Sequence, residues 1–328
     1  MSLTAFVSGA SGFVGSNLVR ELHQQGWIVH VLVRTSSSLE ELAGIPVEVH
    51  HGDVTDADSI IDAMPQAVDA VFHVAASTNF WSRNNHAQDR VNIDGTQNML
   101  DAAVSAQARR FVHTSSFSTW GFSDTRLTER SERTDKTDWI NYVRSKHQGE
   151  MRVEAAAKDG RIDAVILNPG HILGPGDKNN WSRMIRMVYQ GKMLASPPGG
   201  GNFSDVREVA RAHIEAFHHG LGGEKYLLGG EYASFTRVVG ITGELLDRKV
   251  PARPAPAWLM KSWARLNVML AAVSGRAPDI SPESAAMVLY RVECDSSKAQ
   301  KALNYQFTPI RTLLEDTANW MEQKGLLE

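Results

Sequence analysis

Tyr142 and Lys146 stand four residues apart in a stretch, Asp138 to Lys158, that reads as one long helix. That spacing is about one helical turn, so the phenol and the ammonium share a face. A phenol is a poor acid at its ordinary pKa of about 10. A neighbouring cation favours phenolate and draws that value toward the working pH. Such a pair can protonate an alkoxide as it forms, which is the proton half of a carbonyl reduction. The same spacing arises often by chance on helices, so the pair needs partners elsewhere in the chain.

The first partner is a glycine-rich turn, Gly9-Ala10-Ser11-Gly12-Phe13-Val14-Gly15, set between a strand-like run and a helix-like run. Small residues there allow a tight turn and let backbone approach a pyrophosphate at a helix N-terminus, where free N–H groups favour an anion. The spacing G-x-x-G-x-x-G is one residue longer than the commonest dinucleotide fingerprint. The second partner is Arg34, at the end of the next strand and followed by Thr35, Ser36, Ser37 and Ser38. An NAD site commonly carries an acid at that place, whereas a guanidinium can take a 2′-phosphate bidentately. NADP(H) is therefore expected over NAD(H), the plain alternative being a solvated surface arginine.

The elements that must position these groups alternate along the chain. Strands are expected at TAFVSGA (4–10), WIVHVLVR (27–34), Val47–His50, Ala70–Ala75, Arg110–Ser115 and Ala164–Asn168. Helices are expected at Phe13–Gln25, Ser59–Ala63, Asn92–Ala106 and Asp138–Lys158. Apolar strands separated by helices imply a doubly wound α/β fold around a parallel sheet. After Gly174 the turn-rich runs GPGD, PPGGGN (197–202) and PARPAPA (251–257) punctuate a mainly helical region. We expect a dinucleotide-binding domain at 1–174, with 203–232 returning to it through YLLGG (226–230), and a smaller, mainly helical substrate domain at 175–328.

Composition narrows the function further. The 328 residues are 42% hydrophobic and 22% charged, with mean hydropathy −0.26 and net charge −3. No basic stripe marks a nucleic-acid binder. The single cysteine, Cys294, excludes an internal disulfide framework. No signal peptide is read at the N-terminus, and a cytoplasmic setting is expected. Twelve histidines include His50-His51 and His218-His219 but no H-E-x-x-H, so no metal site is expected, and His73 and His113 read as core residues. Neither a G-x-S-x-G elbow nor a P-loop lysine is present. Ala257–Val273 is the most apolar late stretch, yet Lys261, Arg265 and Asn267 interrupt it and it is short for a membrane span. Leu259, Trp263, Leu266 and Leu270 form a one-sided stripe, expected to pack on its own domain, with docking on a membrane surface the less favoured alternative.

Further runs, in order, resemble the extended short-chain dehydrogenase/reductases, and within them the dihydroflavonol reductase-like subgroup: Asp53-Val54, His73-Val74-Ala75-Ala76, Val91-Asn92-Ile-Asp-Gly-Thr96, Thr114-Ser115-Ser116, Tyr142-x-x-x-Lys146, and Asn168-Pro169-Gly-His-Ile172-Leu-Gly-Pro175. Each alone is weak: Asp53 reads equally as a turn residue, Ala75 and Ala76 as packing residues, and Asn92 as a helix cap. The resemblance implies that Ser11, Gly12, Phe13, Val14, Asp53, Val54, Val74, Ala75, Ala76, Asn92, Thr114, Pro169 and Ile172 border the cofactor, and that Lys146 also reaches its ribose. It implies a catalytic set of Tyr142, Lys146 and a serine; counting back from Gly121 favours Ser116, with Ser115 the fallback. The implied activity is reduction of an aryl, alkyl or steroid-like aldehyde or ketone by NADPH, with Phe80, Trp81, Phe117, Trp120, Trp181 and Met184 as candidates for an apolar pocket.

The same superfamily holds nucleotide-sugar epimerases and dehydratases that recycle NAD(P). Arg34, the HVAASTNFW run, and Gly201 where many of those enzymes carry a diphosphate-binding arginine all favour the reductase; Arg183, Arg186 or Arg207 would serve the alternative. A cofactor-sensing regulator without catalysis usually lacks the tyrosine and lysine. The resemblance also implies a homodimer through the helices beginning near Asn92 and Asp138.

Overall fold

The computed structural model describes residues 2–122, 126–274 and 276–327. The chain opens with β1 (Thr4–Ser8), α1 (Phe13–Gln24), β2 (Ile28–Val33), β3 (Glu48–His51), α2 (Ala57–Ala63) and β4 (Ala70–His73). It continues through α3 (Asn85–Asp89), a π-helical turn (Arg90–Asp94), α4 (Gly95–Ser105), β5 (Arg110–Thr114), α5 (Asn141–Lys158) and β6 (Ala164–Pro169). Next come β7 (His171–Leu173), α6 (Trp181–Tyr189), β8 (Gly200–Asp205), α7 (Val206–His219), β9 (Lys225–Leu228), β10 (Glu231–Ser234) and α8 (Phe235–Leu245). The end is built from α9 (Ala257–Ser274), α10 (Pro282–Met287), β11 (Arg291–Val292), α11 (Ser297–Ala302) and α12 (Ile310–Gln323).

Seven strands form one parallel sheet in the order β3-β2-β1-β4-β5-β6-β9. Side chains alternate across it, so Ala5 and Val7 join Leu18, Leu22 and Ile214 on one face while Phe6 joins Ile60, Met99 and Leu100 on the other. The order reverses between β1 and β4, and ligands of such sheets bind beyond the carboxyl ends of the strands at that crevice. α7 and β9 connect into this layer, whereas Phe203–Asp205 ends β8 and Glu231–Tyr232 begins β10 in a second sheet.

That second sheet is small: β8 pairs with β7 and β11 in parallel and with β10 antiparallel. Its centre, β8, reads GGNFSD and is buried throughout, although PPGGGN reads as punctuation in sequence. The glycines are there for room. A Cβ on Gly200 would come within 2.8 Å of the Ala233 carbonyl, and one on Gly201 within 2.6 Å of the His171 ring.

Two helices begin elsewhere than expected. The Asn92 helix already starts at Asn85 and passes through the π turn, so Asn92 lies mid-helix and caps nothing. α5 begins at Asn141 rather than Asp138; the Asn141 amide instead donates to Gln88 Oε1 (3.0 Å) and Asp89 Oδ1 (2.8 Å), tying α5 to α3. α9 packs on its own part of the chain, as expected, but not through its large apolar stripe. Leu259, Trp263, Leu266 and Leu270 are 45–58% exposed, and only the small Ala264 and Ala271 are buried. The helix rests on α10 through its narrow face; the side chain of Val273 lies outside the described residues.

His73 and His113 are core residues, as expected, and His213 joins them. His73 bonds Ser8 Oγ (2.8 Å) and Thr96 Oγ1 (3.1 Å), and His213 bonds Thr114 Oγ1 (2.7 Å) and donates to the Val209 carbonyl (2.7 Å). Burial, helped by the Lys146 charge, pulls His73 down to about 3 and His113 well below 6.5, and burial pulls His171 and His213 down to about 4. The folded chain thus refuses protons that the unfolded chain accepts below 6.5, so stability is complete above that value and is lost as the pH falls toward 4. We expect the melting temperature to be near its maximum from about pH 7 and to fall steadily between about pH 6.5 and 4. A flat profile across that window would show that these imidazoles protonate without cost.

Candidate active site

The turn after β1 is shaped by close approach. Gly9 has φ +72°, and a Cβ there would lie 2.6 Å from the Ala75 nitrogen on the neighbouring β4 connection. A Cβ on Gly15 would overlap the Gly9 carbonyl. The turn closes by Gly12 N–H donating to Gly9 O (3.0 Å). No side chain caps α1, so the first amides of the helix, at Phe13, Val14 and Gly15, face the crevice without an intrahelical acceptor. This is the donor set a pyrophosphate requires, and a twelve-residue helix stands behind it.

Along the same edge, Arg34 follows β2, is exposed, and enters none of the ion pairs among the described residues. Asp53 and Val54 follow β3. Asp53 Oδ1 accepts from Thr55 N and Oγ1, both at 2.8 Å, which is the turn role that sequence offered as its alternative. Val54 is buried and its carbonyl accepts from Asn98 (3.0 Å). Val74, Ala75 and Ala76 leave β4, where Ala75 N–H donates to Ser8 Oγ (3.3 Å). Asn92 clamps the same connection: its oxygen accepts from Ser77 N (2.8 Å), and its amide donates to Ser77 O (3.0 Å) and Ser145 Oγ (2.9 Å). Pro169 ends β6 and Ile172 lies in β7.

β5 and α5 bring Tyr142, Lys146 and the serines that follow Thr114 together. Lys146, 3% exposed, donates to the Thr114 carbonyl at 2.8 Å. The Ser116 hydroxyl lies close enough to the Tyr142 phenol to favour its ionised form. Ser116 Oγ also accepts from Ser118 Oγ (2.9 Å), and Ser116 O accepts from Asn168 (3.1 Å). Ser115 is committed elsewhere: its hydroxyl donates to Glu150. Ser116 is thus the serine that stands beside the phenol.

One expectation is reversed. The Tyr142 pKa is raised, because burial penalises phenolate more than the nearby Ser116 hydroxyl favours it. Burial acts on Lys146 in the opposite sense and draws it down to about 8, against the pull of the Glu150 carboxylate. Sequence reading missed Glu150. It is buried and receives Ser115, Thr119 (3.2 Å), Asn168 (2.6 Å) and the Lys225 ammonium (2.6 Å). Its signal was available: it continues the four-residue spacing Tyr142, Lys146, Glu150 on one helix face.

The aromatic candidates separate. The Phe80 ring stands against Tyr142 at 5.3 Å between centroids. Phe117 and Trp181 pack on the His171 ring at 5.3 and 5.2 Å, with Met184 behind Trp181 in the C-terminal cluster. Trp81 takes the Arg83 guanidinium over its ring, and Trp120 turns inward beneath Lys225. Arg183, Arg186 and Arg207 are occupied by Asp279, the Leu326 carbonyl, and Asp205 with Asp316. Away from the crevice, β2 and β3 place His30, Glu48 and His50 together, a metal-capable trio that sequence spacing did not show.

Residues 5–229 match the family model described as the NAD dependent epimerase/dehydratase family. The chain is 32% identical to a putative dihydroflavonol 4-reductase of Synechocystis sp., over 98% of this chain and 96% of that protein. It is 30% identical to sterol demethylase protein B of Methylococcus capsulatus, over 99% and 100%. The crystal structure of gox2253 superposes with a TM-score of 0.86 at 29% identity, covering both chains in full. With its seven-stranded doubly wound sheet and this glycine turn, the chain belongs to the NAD-dependent epimerase/dehydratase family of enzymes, within the extended short-chain dehydrogenase/reductases.

Proposed function

We propose that the protein is an NADPH-dependent reductase of an apolar aldehyde or ketone. The observation that carries this reading is the juxtaposition of Ser116, Tyr142 and Lys146 at the carboxyl edge of β5, beside the crevice where the glycine turn opens. A bound reduced nicotinamide dinucleotide supplies a hydride to the carbonyl carbon. The amides of Ser11 to Gly15 would hold its pyrophosphate, Arg34 its 2′-phosphate, and Asp53 and Val54 its adenine end. Val74, Ala75, Ala76, Asn92, Thr114, Pro169 and Ile172 would border the rest. Gly9 and Gly15 keep that channel free of side chains.

Ser116 donates to the substrate oxygen and aims it at Tyr142. Tyr142 gives its proton to that oxygen as it becomes alkoxide, and the phenolate left behind is stabilised by the Lys146 ammonium. Lys146 has three N–H donors and one is taken by Thr114, so donors remain for the cofactor ribose. Phe80, Phe117 and a neutral His171 give the substrate side an apolar wall. The engagement of Arg183, Arg186 and Arg207 by other groups speaks against a sugar-nucleotide diphosphate as the preferred substrate. In this reading residues 1–174, with 203–232, serve the cofactor and 175–328 the substrate, in a cytoplasmic setting, and α4 and α5 form the face of a homodimer.

NADPH oxidation against a panel of aryl, alkyl and steroid-like carbonyls tests the reading. Tyr142→Phe should lower turnover roughly 10²–10⁴-fold while NADPH affinity stays within about twofold. Turnover unchanged in the variant, or cofactor bound with no carbonyl reduced, would overturn it. Arg34→Ala should cut the NADPH-over-NADH preference on the order of tenfold to a hundredfold. An unchanged preference would return Arg34 to an ordinary surface role.

A further inference from the structure

We propose that α9 is a docking helix for the surface of an anionic phospholipid bilayer. Two independent observations meet there, and neither depends on the reaction assigned above. The first is the outward face of the helix. Trp258 (68% exposed), Leu259, Trp263, Leu266, Met269 (68%) and Leu270 all face solvent. At about 100° per residue they cover an arc of roughly 140°, opposite the narrow seam of Met260, Ala264, Val268 and Ala271 that rests on the protein. A surface helix ordinarily shows the reverse pattern, with large apolar residues inward and polar ones outward.

The second observation is charge. From Arg248 to Pro278 the chain carries Arg248, Lys249, Arg253, Lys261, Arg265 and Arg276 and no aspartate or glutamate, within a protein whose net charge is −3. All of these basic side chains are exposed, and none takes part in an ion pair among the described residues. Lys261 and Arg265 fall on the flank of the apolar arc, where long basic side chains can lie along it and reach outward to phosphate.

Tryptophan and leucine on one face with unopposed basic charge beside it match a helix lying in the headgroup layer. α9 is not a span: no helix among the described residues is long and apolar enough to cross a membrane. A second copy of the chain is the less fitting occupant. An antiparallel two-fold contact through this face would set its basic flank against that of the other copy with no acidic partner from the helix itself. The helix also adjoins the crevice: it packs on α10, whose N-cap Ser281 donates to the Phe80 carbonyl (2.7 Å), and the Phe80 ring faces Tyr142.

Vesicle flotation with the full-length protein tests the proposal, using phosphatidylcholine vesicles alone and phosphatidylcholine mixed with phosphatidylglycerol. Binding is expected to the mixed vesicles only, to weaken with added salt, and to blue-shift tryptophan emission. Trp263→Ser/Leu266→Ser and Lys261→Glu/Arg265→Glu should each weaken binding by roughly tenfold or more, with circular dichroism unchanged because every substituted side chain is already exposed. Protein that stays with the soluble fraction, or binding that survives both double variants, would overturn the proposal. So would an α9 face found buried in a dimer by light scattering, with the Trp263→Ser/Leu266→Ser variant monomeric and no vesicle bound by either protein.

Discussion

An ammonium group almost wholly removed from water dominates the physics of this molecule. Lys146 is 3% exposed, and moving a charge that far from solvent costs several kcal/mol unless other groups replace the water. The Thr114 carbonyl replaces one hydrogen bond. The Glu150 carboxylate, one turn further along α5, supplies the opposing charge. That carboxylate is buried in turn and is matched by Lys225, Asn168, Ser115 and Thr119. Placing one cation beside the crevice therefore fixes α5, the ends of β5 and β6, and the start of β9. It also reinforces the neutrality that burial imposes on His73 and His113, since a protonated imidazole beside Lys146 would add a second buried cation.

Burial works in opposite directions on the pKa values of Tyr142 and Lys146. It disfavours phenolate and ammonium alike, raising Tyr142 and lowering Lys146. Left to burial alone, the pair would be neutral phenol and neutral amine, a poor arrangement for stabilising a phenolate. Glu150 opposes this for Lys146 and the Ser116 hydroxyl opposes it for Tyr142. Glu150 thus favours the charged form of Lys146 and holds the Ser115 hydroxyl, while Ser116 stands beside the phenol.

What the sequence made legible were features with a strong local cause. Parallel strands buried on both faces leave continuous apolar runs such as AFVS and AVIL, and the glycine turn is marked by its composition. Tyr142, Lys146 and Ser116 came from motif order, and the structure brings them to one place. The features that escaped have non-local causes. β8 is a strand because Ala233 and His171 leave no room for side chains at Gly200 and Gly201, a fact that reads in sequence as a loop. Asn92 looks like a cap, but its donors and acceptor are spent on Ser77 and Ser145, the latter 53 residues away. The His30–Glu48–His50 trio exists only through the β2–β3 register.

Apolar packing runs from the large sheet onto the late elements, and directed contacts are added at the mouth of the crevice. Asn17 on α1 donates to the Pro175 carbonyl (3.2 Å), and Ser281 donates to that of Phe80 (2.7 Å). A buried sheet cannot vary its side chains without disturbing packing on both faces. Loops that border the crevice can vary, because their backbones are held by such single hydrogen bonds while their side chains remain free to change. Phe80 sits on such a connection, whereas His171 stands in β7, Phe117 is buried, and Tyr142 and Lys146 sit on a helix fixed by buried charge. The helix that carries Tyr142 and Lys146 is thus held by buried charge, while the connection that carries Phe80 is held by hydrogen bonds to its backbone.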